Sequence, residues 1–390
     1  MSQNVGIDLI HFATADFYLG LDVFAQQKNQ DVDKYLVGIG QEKMSIAPPD
    51  EDIVTLSAKA AEPILAQVER DKISAVFFAT ESGVDQSKSA GAFVHSLLNL
   101  PNRCRVIELK HACYAGAAAL QMAVNTVKAN PKEQVLVIAA DIARYDLDTS
   151  GEATQGCGAV AMLVKTEPRI LAIEAGSGYH TEDVMDFWRP NHRETALVDG
   201  KYSTKVYLSS LKFAWQHFTE ETGRGFEDIQ QFCYHIPFTK MAEKAHKQLV
   251  KQVGLKQTDQ QTSQQVAASQ VYNRVIGNSY SASLFVGFCS LLDHKPNLDH
   301  QRIGFFSYGS GCVAEFFSGV IQPGYQSVLM TREHQRSIEA RSPLSYQQYL
   351  DLYHHSEPNQ ANITFPEYHA GPFRLSGIQD HKRCYLKTGQ

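Results

Sequence analysis

Three reactive side chains follow apolar runs in this chain: Glu81 in ATES, Cys113 in HAC and His235 in CYHIPF. A thiol can carry an acyl group as a thioester, a carboxylate can remove a weakly acidic proton, and an imidazole can protonate an alkoxide. Sites in open α/β sheets are built where strands end. These residues therefore form a candidate site for acyl-thioester chemistry. From the residues alone, Glu81 could instead cap a helix and His235 could be a core histidine.

Cys113 lies in ELKHACYAGAAALQMAV, between a strand-like run and a helix of small residues. The first N–H groups of a helix lack internal partners and carry positive potential, so they favour a thiolate and can hold an oxyanion. A free cysteine is also often a small buried hydrophobe, and this alternative stays open for Cys113. We treat Cys157 and Cys312 as packing residues, and the direction of His111 is undetermined.

Two further segments could bind a ligand. In SYGSG, Gly309 and Gly311 allow backbone N–H groups to approach a ligand, although the same pattern is typical of a tight hairpin. Asn278 in IGNSYSASLF precedes an apolar helix, where asparagine is commonly an N-cap. Each segment alone is therefore compatible with a purely structural role.

A predicted helix near residues 239–253 carries lysines on one face, at Lys240, Lys244, Lys247 and Lys251. The spacing of four, three and four residues is typical of a solvated face, partly paired through Glu243. The position of this face directly after His235 also fits a site for the phosphates of an anionic ligand. Both interpretations remain at this point.

Apolar runs and helix-like stretches alternate in two series that predict an α/β fold with parallel strands. The first series has helices near 52–70 and 88–100, a helix after Cys113, and strands near 73–82, 104–110, 134–142 and 158–164. After an irregular segment near 176–206, the second has strands near 231–238 and 302–321 and helices near 239–253 and 281–294. This rhythm suggests an internal duplication. The last fifty residues carry no clear pattern.

The composition excludes several classes of protein. The 390 residues include 36 basic and 42 acidic residues, and the net charge of −6 argues against a general binder of nucleic acid or anionic membranes. No basic, apolar leader and no run of about 18 apolar residues occurs, so we predict a soluble cytoplasmic protein. The seven cysteines have no paired spacing, and metal-binding and P-loop motifs are absent.

The order of these motifs resembles that of the bacterial 3-hydroxy-3-methylglutaryl-CoA (HMG-CoA) synthase family of the thiolase superfamily. The likeness is carried by VGIGQEKMSIAPPDEDIV, ATESGVDQSKS, ELKHACYAG, LVIAADIARYDL, GEATQGCGAVAMLV, HTEDVMDFWRP, LVDGKYS, HIPFTKMAEKAH, IGNSYSASL and FFSYGSGCVAEFFSG. It weakens only in the last fifty residues. It implies a thiolase-like five-layer αβαβα fold of two similar halves, 1–167 and 168–390, usually assembled as a homodimer.

The resemblance also implies roles for individual residues. Cys113 matches the nucleophile, Glu81 the general acid/base, and His235 the histidine that orients and polarises the second substrate. Asn278 matches the position that holds the thioester of the second substrate. The backbone N–H groups of Cys113 and of the turn containing Tyr308 and Ser310 match the positions that stabilise the oxyanion. Lys240, Lys244 and Lys247 fall in the region that binds coenzyme A.

The implied reaction condenses acetyl-CoA, through an acetyl-Cys113 enzyme, with acetoacetyl-CoA and water to give HMG-CoA and CoA. This places the chain in the mevalonate pathway of isoprenoid biosynthesis. The coenzyme A thioesters are substrates, and neither a metal nor a redox cofactor is required.

Three alternatives are compared with this prediction. A ketoacyl synthase III-like enzyme generates its carbanion by decarboxylation, which needs no carboxylate at the position of Glu81. A non-catalytic scaffold protein would be expected to lack Glu81, Cys113 or His235. An HMG-CoA synthase-like enzyme that installs β-branches on polyketides takes acetyl groups from an acyl carrier protein. SGCVAEFFSG and ESGVDQSKS resemble that branch, whereas GIGQEKMSIAPPDEDIV, DFWRP and LVDGKYS favour the mevalonate branch.

Overall fold

The computed structural model describes residues 4–355, 360–368 and 371–388. Its strands are β1 (Val5–Ala13), β2 (Phe17–Gly20), β3 (Lys43–Ile46), β4 (Ile73–Ala79), β5 (Arg105–Leu109), β6 (Gln134–Ile142), β7 (Cys157–Thr166), β8 (Leu171–Ile173), β9 (Gly178–Thr181), β10 (Phe187–Trp188), β11 (Leu197–Val198), β12 (Gln231–Tyr234), β13 (Arg302–Gly309), β14 (Val313–Ile321), β15 (Ser342–Pro343), β16 (Ile363–Thr364), β17 (Phe373–Gln379) and β18 (Lys382–Lys387).

Its α-helices are α1 (Leu21–Gln27), α2 (Ile53–Leu65), α3 (Ala90–Leu97), α4 (Ala115–Ala129), α5 (Gly200–Thr222), α6 (Met241–Gln252), α7 (Asp259–Val266), α8 (Val271–Ile276), α9 (Ser283–His294), α10 (Thr331–Glu339) and α11 (Tyr346–Tyr353). Within the described residues, none of these helices is both long and apolar enough to cross a membrane.

A mixed ten-stranded sheet runs through the molecule in the order β12-β13-β14-β8-β1-β7-β6-β4-β5, with β9 paired to β14. The strand pair β12 and β13 at one end is parallel, and β4 at the other end is parallel to both β5 and β6. A short antiparallel register between β1 and β8, Gly6 with Ala172 and Ile7 with Leu171, joins the two parts. The parallel pairs are the elements that carry the candidate residues.

Three apolar cores separate the layers. The central core contains α4 and α9 between strands from both ends of the sheet. One outer core packs α2 and α3 on β4, β6 and β7, and the other packs α5 and α6 on β12, β13 and β14. The two ends of the sheet form two layers, and helices lie between them and on both outer sides. This succession of helix, sheet, helix, sheet and helix is the predicted five-layer αβαβα fold.

The two central helices meet closely at the start of α4. A side chain at Gly116 would place its Cβ 2.5 Å from the carbonyl oxygen of Ser281 and 3.1 Å from the ring of Phe285. A Cβ at 2.5 Å from backbone forces atoms to shift, so glycine permits this contact. The helix that follows Cys113 is thereby packed against the segment that leads from Asn278 into α9.

Several elements differ from the sequence prediction. Helix α5 covers 23 residues that overlap and follow the segment treated as irregular, and its N-terminus is capped by Asp199, whose carboxylate accepts from the N–H of Tyr202. The predicted strand at 231–238 ends at Tyr234, and His235 follows it directly. Within the described part of the last fifty residues, the chain forms α11 and a sheet of β16, β17 and β18.

Candidate functional site

Adjacent parallel strands bring Glu81 and Cys113 together. Strands β4 and β5 pair in register up to Ala79 and Leu109, and each reactive residue follows the carboxyl end of its strand. The Sγ atom of Cys113 donates to Oε1 of Glu81 at 3.3 Å. Both side chains are partly exposed. The contact holds a thiol and a carboxyl group in a position to act on the same substrate.

The turn that presents Cys113 is held by backbone contacts. Ala112 has a left-handed backbone, with φ of +42°, and α4 begins two residues after Cys113. A Cβ at Gly309 would lie 2.6 Å from the carbonyl oxygen of His111 and 2.7 Å from the backbone nitrogen of Tyr114. Glycine is therefore required where β13 ends against this turn. The SYGSG segment lies directly beside the nucleophile candidate.

Burial and neighbouring acids oppose ionisation of this pair. Burial, together with the charge of Asp141, raises the pKa of Glu81 to about 8, while the guanidinium of Arg189 acts in the opposite direction. Burial and the carboxylate of Glu81 raise the pKa of the Cys113 thiol well above its ordinary value. This direction is opposite to the one that the helix N-terminus was expected to give. Both protons are therefore retained at neutral pH in this structure.

Asp141, at the end of β6, organises the carboxyl ends of the neighbouring strands. Its two oxygens accept hydrogen bonds, at 2.5 to 3.0 Å, from the hydroxyl of Thr80, the N–H groups of Glu81 and Ser82, and both the N–H and the hydroxyl of Ser281. Sequence reasoning did not single out Asp141. The signal was present, because Asp141 follows the apolar run QVLVIAA just as Glu81 follows ISAVFFAT.

Arg189 is a second residue that the sequence reasoning missed. Its Nη2 donates to the carbonyl oxygen of Glu81, and its charge lowers the pKa of the Glu81 carboxyl. Arg189 belongs to the DFWRP motif, so its type and position were visible in the sequence. Its contact with Glu81, which is 108 positions away, was not visible in the sequence.

His235 is buried directly after β12, at the opposite end of the sheet order from β5. The backbone N–H of His235 donates to the carbonyl oxygen of Phe306 at 2.8 Å, and the hydroxyl of Tyr207 donates to the carbonyl oxygen of His235 at 2.8 Å. Its Nδ1 has no hydrogen-bond partner among the described residues. Burial lowers the pKa of His235 to about 3, so the imidazole is neutral at physiological pH. A neutral imidazole can still donate one hydrogen bond.

Asp186 holds the SYGSG turn. It accepts from the hydroxyl of Tyr308 at 2.6 Å and from the N–H of Gly311 at 3.0 Å. The Gly311 N–H is thus engaged inside the protein, and the Tyr308 hydroxyl is directed to a buried carboxylate. Ser310 is partly exposed and lines a groove of about 1560 Å³ that also reaches Glu81 and His111. Asp186, like Arg189, was quoted within DFWRP but was given no role.

Asn278 is buried, and its side chain forms a local turn. Its side-chain oxygen accepts from the N–H of Tyr280 at 2.9 Å, and its own N–H donates to the carbonyl oxygen of Thr154 at 3.0 Å. The N-cap of α9 is Ala282, so the side-chain oxygen of Asn278 stabilises a local turn and does not cap the apolar helix. The side-chain NH₂ group supplies the donors that could hold a thioester carbonyl.

The lysine face lies on α6 and at its start. The N–H of Lys240 donates to the carbonyl oxygen of Ile39 at 2.9 Å, which places it beside a π-helical turn at Lys34–Ile39. Lys244 is exposed, with its ammonium group 4.9 Å from the ring centre of Phe238. Lys247 forms an ion pair with Asp259 at 2.7 Å. Lys240 and Lys244 are not among the described residues that line the groove at Glu81.

An aromatic cluster surrounds the thiol. Tyr145 and Tyr280 are buried with their ring centres 6.4 Å apart, and Phe187 packs at 5.6 Å from Tyr280. Cys113 packs against the same cluster. Such a surface suits a small acyl group on sulfur, because it excludes water from the thioester.

The remaining cysteines agree with the sequence analysis. All seven are free thiols, and Cys157 and Cys312 are buried. His111 is partly exposed, and its ring lies against the backbone of Gly311, where a Cβ would be 3.6 Å from Cε1. Burial lowers the pKa of His111. Among the described residues, no group of three or more His, Cys, Asp or Glu side chains could hold a metal ion.

Comparison with known proteins identifies the family. The model for the N-terminal domain of hydroxymethylglutaryl-coenzyme A synthase matches residues 1–168, and the C-terminal model matches residues 171–262 and 247–370. The chain is 41% identical to hydroxymethylglutaryl-CoA synthase of Enterococcus faecalis, over 98% of this chain and 100% of the relative.

Solved structures agree. An HMG-CoA synthase complexed with CoA superposes with a TM-score of 0.93 at 40% identity, covering 99% of this chain and 100% of the other. The HMG synthase of the curacin biosynthetic pathway, in complex with acetyl donor-ACP, has a TM-score of 0.94 at 30% identity, with the same coverage. The thiolase-like fold is thereby confirmed. The chain belongs to the hydroxymethylglutaryl-CoA synthase family, whose members are acyl-transferring enzymes.

Proposed function

We propose that this chain condenses acetyl-CoA with acetoacetyl-CoA and water to give HMG-CoA and CoA. The observation that carries the proposal is the 3.3 Å contact between Cys113 and Glu81. A simple acyl transfer needs a nucleophile, whereas forming a carbon–carbon bond from an acetyl group also needs a base at the methyl carbon. This pair places both groups at one point.

In the first step, the Cys113 sulfur attacks the carbonyl carbon of acetyl-CoA. The new thioester forms as the bond to the coenzyme A sulfur breaks, and the departing sulfur takes the proton that Cys113 gives up. The aromatic cluster of Tyr145, Phe187 and Tyr280 covers the acetyl group. This step needs no proton from the methyl group, and so it does not require a base at that carbon.

In the second step, Glu81 removes a proton from the acetyl methyl group, and the carbonyl oxygen becomes an enolate; in the third step Glu81 gives this proton to the new alkoxide, which restores its carboxylate. Backbone N–H groups at Cys113 and in the turn of Tyr308 and Ser310 are the proposed oxyanion donors. Since Gly311 donates to Asp186, the N–H of Ser310 is the better candidate within that turn. Glu81 must be ionised to act, so this step is favoured as the pH rises through its pKa of about 8.

In the third step, the enolate carbon attacks the ketone of acetoacetyl-CoA. His235, neutral because it is buried, donates a hydrogen bond to the ketone oxygen, which takes up a proton as it becomes a hydroxyl group. The amide of Asn278 holds the thioester of this substrate. Water then cleaves the bond to Cys113 and releases HMG-CoA, which restores the thiol.

Lys240 and Lys244 are the proposed contacts for the phosphates of coenzyme A. The two lysines have no ion-pair partner among the described residues, whereas Lys247 is paired with Asp259 and is a weaker candidate. The net charge of the chain does not oppose this role, since charges are screened over about 8 Å at physiological salt. No metal or redox cofactor takes part in the proposed steps.

The proposal includes a homodimer of chains with an N-terminal half of residues 1–167 and a C-terminal half of residues 168–390. Strand β5 ends the sheet order, and its outer edge has no partner strand among the described residues. Ile107 on β5 and Met122 on α4 are 47% and 40% exposed. An unpaired edge beside exposed apolar side chains is a surface that a second copy can cover.

We further propose that the enzyme acts in the cytoplasm, in the mevalonate pathway of isoprenoid biosynthesis. A carrier-protein-dependent enzyme of polyketide β-branching is the alternative. The curacin synthase, solved in complex with acetyl donor-ACP, supports it through its TM-score of 0.94. Its 30% identity is lower than the 41% shared with the Enterococcus faecalis enzyme. We favour the coenzyme A substrate for this reason.

A side-by-side assay separates the two functions. The enzyme is offered acetyl-CoA with acetoacetyl-CoA in one reaction and acetyl carrier protein with a β-ketoacyl carrier protein in the other. We expect the coenzyme A pair to give the higher kcat/KM. Preference for the carrier-protein pair would support polyketide β-branching as the function. Absence of an acetyl mass on the wild-type protein would refute both proposed functions.

A further inference from the structure

The buried carboxyl group of Glu315 forms a hydrogen bond with the N-cap residue of helix α4, which directly follows Cys113. Glu315 lies on β14 and is 2% exposed. The hydroxyl of Tyr114, the residue next to Cys113, donates to its Oε2 at 2.8 Å. Burial raises the pKa of the Glu315 carboxyl group, and hydrogen bonding from Ser177, Tyr114 and Gln121 acts in the opposite direction. None of the proposed catalytic steps uses Glu315.

The geometry of α4 explains why two of these donors converge. Tyr114 and Gln121 are seven residues apart, which is two helical turns, so they occupy the same face of α4. Glu315 on β14 therefore contacts Tyr114, the N-cap residue of α4, and Gln121 lies two turns further along the same face. Strand β14 pairs with β13, whose last residue, Gly309, contacts the turn around Cys113.

Burying a carboxyl group costs free energy unless hydrogen bonds or an opposite charge compensate for the lost water. An apolar residue could fill the same position on β14, whose other buried side chains include Phe316 and Phe317. The hydrogen bond to Tyr114 fixes the residue whose backbone follows the nucleophile directly. Loss of this bond would free the turn while leaving Cys113 and Glu81 unchanged in type.

We propose that Glu315 is a positioning residue which, through the hydroxyl of Tyr114, holds the Cys113 turn so that the sulfur stays against Glu81 and aligned for acetyl transfer. This assignment rests on the proposed function for its kinetic consequence. The contact itself is independent of the substrate. Misplacement of a reacting group by about 1 Å can cost up to about 100-fold in rate, so a loosened turn has a measurable effect.

The test uses the full chain with the variants Tyr114→Phe, Glu315→Ala and Glu315→Gln. Tyr272→Phe is the matched control, because the hydroxyl of Tyr272 donates to another carboxylate, Asp293, at 2.6 Å. The acetylation rate at saturating acetyl-CoA is followed by intact mass, together with KM and the melting temperature. Alkylation of Cys113 by iodoacetamide is measured separately, and it requires no enzymatic activity.

We expect Tyr114→Phe and Glu315→Ala each to slow acetylation about tenfold, with KM changed less than about twofold. Glu315→Gln keeps an acceptor oxygen and should slow it less. The double variant Tyr114→Phe/Glu315→Ala should be no slower than Glu315→Ala alone, since Glu315→Ala already removes the contact with Tyr114. Alkylation should become about threefold faster, because a turn that opens more often exposes the sulfur.

The positioning role is refuted if folded Tyr114→Phe and Glu315→Ala proteins acetylate and alkylate at the wild-type rates. It is also refuted if Tyr272→Phe produces the same changes at an equal loss of melting temperature. Failure of the proposed function is visible separately, as wild-type protein that never gains an acetyl mass. In that case the alkylation rates alone decide whether Glu315 holds the turn.

Discussion

Replacing Glu81 by glutamine should make Cys113 a stronger nucleophile toward a simple alkylating reagent. The two side chains are 3.3 Å apart, and full ionisation of both would place two negative charges at that separation. Coulomb's law gives about 5 kcal/mol of repulsion at an effective dielectric constant of about 20. Because both side chains are partly exposed, we retain about one third of this energy. About 1.4 kcal/mol corresponds to one pKa unit, so the pKa of Cys113 should fall by at least about one unit in Glu81→Gln.

The assay is the rate of iodoacetamide alkylation of Cys113 across pH 6 to 10, read by mass spectrometry of the peptide that contains Cys113, because all seven cysteines are free thiols. Between about pH 8, above which wild-type Glu81 is ionised, and the higher pKa of the thiol, the thiolate fraction and the rate should rise about tenfold in Glu81→Gln. The control is Glu108→Gln on β5, whose carboxylate accepts from the N–H of Ala90 at 2.7 Å. An unchanged or higher midpoint in Glu81→Gln would show that Glu81 does not control the thiol.

Three further outcomes test the proposed steps. Glu81→Ala should still gain an acetyl group on Cys113 but should not condense, and a folded variant that fails to acetylate contradicts the role of Glu81 as the methyl base. The rate of condensation by preformed acetyl-enzyme should rise with pH through about 8, because Glu81 must be ionised. The variant Asp141→Asn removes a charge that raises the pKa of Glu81, so the rise should move to lower pH by about one unit. An unmoved profile would refute the effect of Asp141 on Glu81. Lys240→Glu with Lys244→Glu should raise KM for coenzyme A substrates about tenfold at low salt and less at high salt, while unchanged kinetics would restore the solvated-face interpretation.

The resemblance to the family implied the layers of the fold, whereas the residues themselves predicted that Glu81 and Cys113 share a site. Each follows an apolar run, and parallel neighbouring strands present their carboxyl ends at one edge. The same rule applied to Asp141 as well. Its role depends on five donors, one pair of them 140 residues away on Ser281, and such convergence is visible only in three dimensions.

Helix α5 was missed because its sequence hides its periodicity. Lysines, serines and threonines interrupt its apolar positions, and its buried face is recognisable only against β9 and β14. The direction of the thiol pKa was also missed. A helix N-terminus was visible in the sequence, but the burial and the carboxylate that raise the thiol pKa depend on packing.

The close approach of Gly309 to the backbone around Cys113 has a consequence for how the protein matures. The two segments are separated by almost two hundred residues, so their contact closes a very long loop and belongs to the late, non-local events of folding. A chain that has formed its helices but not this contact has a thiol without a complete oxyanion site. The time course of acetyl uptake should thus report the completion of refolding, since it starts only when Gly309 and the turn around Cys113 are in contact.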